Sequence, residues 1–177
     1  GRFDSNFPND CIGVIVEDSA TVNGTNTPVF VMYYSCVLTT NVPPISYQWL
    51  SAVLPNTSPA TFTGTHQFSS GDFNADGLDS IAVRRGEYIA FTNVAPASNN
   101  ANNATFDLAQ FWGTPPGSVG TGFFTAGDWN NNNTDGFGVL YDNNEFFYRN
   151  SVDWNPGAYL NQSLTVGPVG NPRNVTS

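Results

Sequence analysis

Two stretches of this chain repeat one another, and that self-similarity limits its architecture more than any other feature. Gly71-Asp72-Phe73-Asn74-Ala75-Asp76-Gly77-Leu78-Asp79-Ser80-Ile81-Ala82-Val83 aligns without a gap to Gly127-Asp128-Trp129-Asn130-Asn131-Asn132-Asn133-Thr134-Asp135-Gly136-Phe137-Gly138-Val139. Past one extra residue the match resumes, with Ile89-Ala90-Phe91-Thr92-Asn93 against Phe146-Phe147-Tyr148-Arg149-Asn150. Each copy reads as a lead-in strand, a polar loop, an apolar strand, a turn and an aromatic strand. A fixed period of several tens of residues marks a repeat architecture, in which one unit cannot bury its apolar face alone and neighbours must stack. Phe73 and Trp129 hold matching positions and read as core residues of their units.

The rest of the chain is patterned in the same way. Short apolar or alternating runs are separated by Gly, Pro and Asn clusters, which predicts an all-β fold. Ile12 to Val16 reads as a strand and Val29 to Val37 as its partner, with the Asn-Gly of Val22-Asn23-Gly24-Thr25 as the turn. Only Leu108-Ala109-Gln110 hints at helix, and it is too short to form one alone. The expected organisation is an N-terminal arm (1–10), a cysteine-bridged β-hairpin module (11–60) and two blade-like repeats (about 61–115 and 116–177) packed as one domain. The arm, with Phe3 and Phe7 in a polar setting, is either a loose terminus or a strap that docks its rings, for instance on another copy.

Charge narrows the partners. Fourteen acidic and five basic residues leave a net charge of −9, and every basic residue is an arginine. An acidic surface without a basic cluster has no electrostatic attraction for a phosphate backbone or an anionic membrane, so neither nucleic acid nor a lipid surface is an expected partner. No apolar run approaches the roughly 20 residues needed to span a bilayer as a helix. The absence of lysine and the wealth of Asn, Thr and Ser suit an extracellular protein. In that compartment Cys11 and Cys36, the only cysteines, pair as a disulfide; otherwise they are two buried thiols. Asn-x-Ser/Thr acceptors for N-linked sugar occur at Asn23, Asn56, Asn103, Asn132, Asn161 and Asn174. Asn56 and Asn103 sit in stretches expected to be exposed loops, whereas Asn132 lies inside a tight loop and is the poorest acceptor.

The first polar loop carries the chemistry. Oxygen ligands on alternate residues, followed by a glycine that permits a sharp turn, wrap a hard cation such as Ca²⁺. Asp72, Asn74 and Asp76 supply side-chain oxygens, Gly77 the turn and Leu78 a backbone carbonyl. The alternative is a loop held by its own Asx turns without an ion. In the second loop Asp128, Asn130 and Asn132 keep the alternate oxygens, with Thr134 and Asp135 completing a weaker set. Asn133 stands where the glycine was, and Asn tolerates the left-handed conformation. With fewer acids, a self-hydrogen-bonded turn is expected there.

The string from Gly71 to Val83 resembles the FG-GAP/VCBS class of extracellular calcium-loop repeats, over about residues 65 to 175, with the second copy degenerate. The resemblance implies propeller-type blades, calcium in the first loop, no catalysis, and an adhesive or structural role. The family usually places a carboxylate where this chain has Ser80; Asp79 is adjacent and either substitutes or orients the loop.

A propeller closes with at least four blades, and two recognisable units are too few. The lead-in Val166-Gly167-Pro168-Val169-Gly170-Asn171-Pro172 matches the stretch before Gly127 without a following loop. An unpaired edge is therefore expected, to be covered from within the molecule or by a neighbour. Against an enzyme, His66 is alone and no GxSxG, HExxH or P-loop pattern occurs. The reading is a non-catalytic, calcium-stabilised, glycosylated extracellular structural protein whose partners are copies of itself, in a fibre or surface layer, by strand or arm exchange. The rival is a calcium-dependent carbohydrate-binding or adhesion module, with Trp49, Trp112, Trp129 and Trp154 as candidate stacking faces.

Overall fold

The run of Val, Phe and Tyr from Val29 to Tyr34 needs a partner strand of similar length, and in the computed structural model it has one. The structure describes residues 1–3, 5, 10–22, 24–36, 46–51, 66–94, 103–104, 106, 108–112, 122–142, 144–150, 152 and 162–165. Strands β1 (Ile12–Val22) and β2 (Thr25–Ser35) form an antiparallel hairpin in register from Ile12↔Ser35 to Val22↔Thr25, leaving positions 23 and 24 for the turn. Gly24 has φ 78°, as a two-residue hairpin turn demands. Both strands run further toward that turn than the apolar pattern alone implies. The Cys11–Cys36 disulfide closes the open end of the hairpin.

β2 continues into β3 (Ser46–Ser51), and the two-residue β7 (Asn103–Ala104) joins β3 in parallel to complete a four-stranded first sheet, order β1-β2-β3-β7. Asn103, expected in a loop, is therefore in an edge strand, because its backbone pairs with Trp49. The second sheet is a meander of β4 (Gln67–Gly71), β5 (Ser80–Arg85), β6 (Tyr88–Phe91) and β8 (Leu108–Phe111). The third repeats it with β9 (Phe123–Gly127), β10 (Gly136–Leu140), β11 (Glu145–Tyr148) and β12 (Gln162–Thr165). The helical hint at Leu108-Ala109-Gln110 is overturned. Its backbone pairs with β6, Ala90 opposite Ala109, and an available sheet edge outweighs a local preference three residues long. Among the described residues there is no helix, and no barrel or propeller closes.

The sheets stack face on face. Phe3, Cys11, Phe30, Met32 and Tyr34 meet Ile81, Val83 and Ala90 in one core. Phe73, Ala82, Ile89, Phe91 and Trp112 meet Phe124, Ala126, Phe137, Val139 and Phe147 in the other. The second sheet is thus covered on both sides, and its strand β5 accordingly reads as a continuous buried run rather than an alternation. Phe3 of the arm docks within its own chain, edge-on to Tyr34 at 5.8 Å. Phe7 lies outside the described residues.

Phe137 is fully buried and packs against Phe73, Phe91 and Phe124 at centroid distances of 5.0, 5.6 and 5.8 Å. Phe137→Ala removes the ring that joins the second and third sheets. It is expected to cost about 3–5 kcal/mol in equilibrium urea unfolding.

Candidate metal centre

The β4–β5 and β9–β10 connections adopt one conformation. In the first, Asp76 N–H donates to Asp72 Oδ1 (3.1 Å) and to Asn74 Oδ1 (3.2 Å), and Gly77 N–H donates to Asp72 Oδ2 (2.8 Å). Leu78 N–H donates to Asp76 Oδ1 (2.8 Å), and Asn74 Nδ2 to Asp76 Oδ2 (3.0 Å). In the second, Asn132 and Asn133 N–H donate to Asp128 Oδ1 and Oδ2 (3.0 and 2.8 Å), and Thr134 N–H to Asn132 Oδ1 (3.0 Å). Left-handed residues fall at equivalent places, Ala75 (φ 61°) and Gly77 (φ 81°) against Asn131 (φ 57°) and Asn133 (φ 64°). Asn133 therefore does replace the glycine without changing the turn. Ala75 has no side-chain oxygen to favour that conformation, so the surrounding hydrogen bonds hold it.

The structure brings Asp72, Asn74 and Asp76 together in the first loop, and Asp128 with Asn132 in the second. Asn130 is exposed beside Asp128. Ser80 is buried as the first residue of β5, opposite Gly71. Asp79 turns toward the N-terminus, its N–H donating to the Arg2 carbonyl (2.8 Å). Burial is the main influence on the Asp79 carboxyl and raises its pKa, against the Arg2 backbone contact. Among the described residues no three of His, Cys, Asp or Glu are placed to hold a metal ion.

The first loop's donors are two carboxylates and an amide, all hard oxygens, and they fit a cation of the calcium type by chemistry. Each carboxylate oxygen has two acceptor sites, so a bond from a loop N–H does not exhaust it. The second loop fits less well. Partial desolvation pushes Asp128 up, but the N–H groups of Asn132, Asn133, Asn130 and Asn131 together outweigh it and hold the carboxyl below its ordinary value. Asp135 is engaged outside its own loop.

That engagement is the feature sequence reasoning missed. Asp72 N–H donates to Asp135 Oδ2 (2.7 Å) while Asp135 N–H donates to the Asp72 carbonyl (2.8 Å), a reciprocal clasp between the two loops. Gly71 makes room for it: a Cβ there would stand 2.8 Å from Asp135 Oδ2. The signal was present in the alignment, since Asp79 and Asp135 are the one acid pair at matching positions after the turn. Nearby, β4 and β9 are tied by Ala126 N–H to Ser69 Oγ (2.9 Å) and Gln67 Nε2 to the Gly122 carbonyl (2.7 Å).

Cys11 and Cys36 are joined. Of the glycosylation candidates, Asn23, Asn56, Asn161 and Asn174 lie outside the described residues. Comparison with protein-family models, curated proteins and solved structures finds no match to the chain.

Burial is the largest influence on Asp135 and raises its carboxyl pKa; the Asp72 N–H lowers it, while Asp79, Asp72 and Asp128 add to the rise. A carboxyl with a raised folded pKa adds stability as pH falls through that value, so at neutral pH its ionised form works against folding. Asp135→Asn retains an acceptor for Asp72 N–H without the charge. It is expected to melt at or above the wild type at pH 7, with the gap closing on acidification. Asp135→Ala leaves that N–H without its acceptor and is expected to lose about 1–3 kcal/mol. Urea melts of both variants at pH 7 and pH 4 check the pair.

Proposed function

We propose that this chain is a non-enzymatic extracellular structural protein that associates with copies of itself into a fibre or surface layer, stabilised by calcium in the first loop and carrying N-linked sugar. The observation that carries the reading is an exposed apolar stripe on β1; Val29 and Val31, on the same side of β2, are buried. Ile12 and Val14 are each 59% exposed, Val16 40% and Tyr33 41%, all on the side of the first sheet away from its core. A contiguous apolar stripe on a long edge strand is a surface that calls for a partner.

Other features support the remaining terms. An intramolecular disulfide belongs to an oxidising compartment, and no helix among the described residues is long and apolar enough to cross a membrane. His66, the single histidine, pairs through Nδ1 with Glu17 and packs edge-on against Phe30 at 5.0 Å, a structural setting. The blade-like meanders and their matched loops support the resemblance to calcium-loop repeats. For the rival carbohydrate-binding module, Trp129 and Tyr148 offer half-buried rings on the third sheet, while Trp112 is wholly buried and has no face to offer.

Negative-stain imaging and sedimentation, with calcium and with chelator, test the reading. Calcium-dependent assemblies are expected. A strictly monomeric species at high concentration, with polysaccharide binding lost on chelation, favours the rival instead. Asp72→Ala combined with Asp76→Ala is expected to abolish the calcium dependence of thermal melting; if calcium shifts the melting of neither protein, the ligand assignment is wrong.

A further inference from the structure

The joint between the first and second sheets is built like the joint between the second and third, with one place left open. The Arg2 carbonyl accepts Asp79 N–H at 2.8 Å, as the Asp72 carbonyl accepts Asp135 N–H at 2.8 Å. Phe3 and Phe73, the next residues along, are both buried. Ile12-Gly13-Val14 in β1 thus takes the place of Ile81-Ala82-Val83 in β5 and Phe137-Gly138-Val139 in β10. β5 and β10 each carry an antiparallel lead-in strand on one edge, β4 and β9, and a return strand on the other, β6 and β11. β1 has its return strand in β2, but no described strand pairs with its other edge.

In the second joint the lead-in strands lie one against the other. Ser69 Oγ on β4 accepts Ala126 N–H on β9 at 2.9 Å, and Gln67 Nε2 donates to the Gly122 carbonyl at 2.7 Å. With Gly71 aligned to Gly127, the residues of β4 that match Phe124 and Ala126 are Phe68 and Ser70. In the first joint no described strand holds the corresponding place against them. They line instead a cleft of about 340 Å³ between β1 and β4. Met32 of β2 and Ile81 of β5 line it from the inner strands, and Ile15 from β1. Ile15, Phe68 and Ser70 are only half-buried, so the cleft opens to solvent. Beyond Ile15 on the same side of β1, Glu17 reaches across to His66 Nδ1, just ahead of β4. Toward the other end the Asp79 carboxyl stands beside Gly1, which also lines the cleft.

We propose that this cleft is a groove for an extended peptide segment of a partner protein, which adds antiparallel to the outer edge of β1 and lays alternate side chains over Phe68 and Ser70. The mode is β-augmentation, in which main-chain hydrogen bonds supply affinity and the groove reads every second side chain. The internal template for the guest is β4 where it lies against β9. A serine or threonine of the guest at the place of Ser69 accepts Ser70 N–H, as Ser69 accepts Ala126 N–H. Apolar or small residues fill the rest, because Ile15, Met32, Phe68 and Ile81 strip a charged side chain of its water. Charge selects the flanks. Glu17 and Asp79 place an acidic side chain toward each end, and the whole chain carries a net charge of −9 without a lysine. Basic residues on either side of the guest strand are therefore favoured, and a second copy of this chain is disfavoured. The groove uses the inner side of β1, opposite the Ile12 and Val14 stripe, and stands apart from the self-association proposed above.

A fluorescein-labelled peptide, Lys-Lys-Gln-Phe-Ser-Ser-Gly-Lys-Lys, sets the Gln67–Gly71 sequence between basic flanks and tests the groove by anisotropy against the full chain. Saturable binding is expected, and no saturation overturns the proposal. Glutamates in place of the lysines are expected to weaken binding about tenfold or more; equal binding overturns the basic partner. Two further peptides carry N-methyl groups on alternate amides, one on each of the two alternate sets. Only the set that faces β1 is expected to lose binding, and equal behaviour of the two sets overturns strand addition. Ser70→Trp fills the cleft and is expected to abolish binding at an unchanged melting temperature. Should that variant misfold, hydrogen–deuterium exchange of the wild-type chain decides the matter. The peptide is expected to slow exchange in β1 and not in β12, and unchanged β1 amides overturn the site. Sedimentation with excess peptide identifies the occupant: self-association that persists supports a separate partner, and dispersal of the assemblies shows that a second copy holds the groove.

Discussion

Apolar residues on both sides of the middle sheet govern this molecule. A sheet with Ile81 and Val83 on one face and Phe73, Ala82 and Phe91 on the other is stable in water only when something dry lies against each. The chain supplies those covers from the segments before and after it. Aromatic side chains make most of the second contact, and their tilted and edge-on arrangements join packing to the ring quadrupole preference. Two arginines are drawn into this dry layer. Arg84 lies against Tyr141 at 5.8 Å and Arg149 against Trp112 at 5.6 Å, so desolvation lowers the pKa of both guanidinium groups while the ring faces offset part of the charge burial.

The loops do at the edge what the faces do in the interior. Asp72 organises its own turn through two carboxylate oxygens and grips the next loop through its backbone. The position that a cation would occupy is thereby also a joint between sheets. A cation held by Asp72, as proposed, would therefore act on the spacing of the sheets as well as on its own loop.

Much of the fold was legible in the sequence because it rests on local signals. The repeat alignment, the Asn-Gly turn and the period-two runs found the hairpin and the first three strands of each meander. What escaped depends on non-local pairing. Leu108-Ala109-Gln110 carries no strong preference and became a strand only because β6 presents an edge. Asn103 lies in a polar stretch and pairs with a residue more than fifty positions earlier, which no local pattern announces. In the candidate site the alternate oxygens of Asp72, Asn74 and Asp76 were readable from spacing. The turn conformation at Asn133 was readable from the tolerance of Asn for positive φ. The role of Asp135 was marked there only by the acid it shares with Asp79, and was missed because a carboxylate that caps a neighbouring loop looks in sequence like another ligand.

The short strand β7 breaks the nearest-neighbour order in one respect. It leaves the chain between β6 and β8 of the second sheet and finishes the first sheet, parallel to β3. Pulling those two layers apart requires shearing a ladder as well as wetting a core, and the second layer is held to the third by the Asp72–Asp135 clasp and the ties of Ser69 and Gln67 to β9 and its lead-in. Each neighbouring pair of layers is therefore joined at an edge by hydrogen bonds as well as across a dry core, so on heating or under tension a layer comes away only by shearing its edge and wetting its core together.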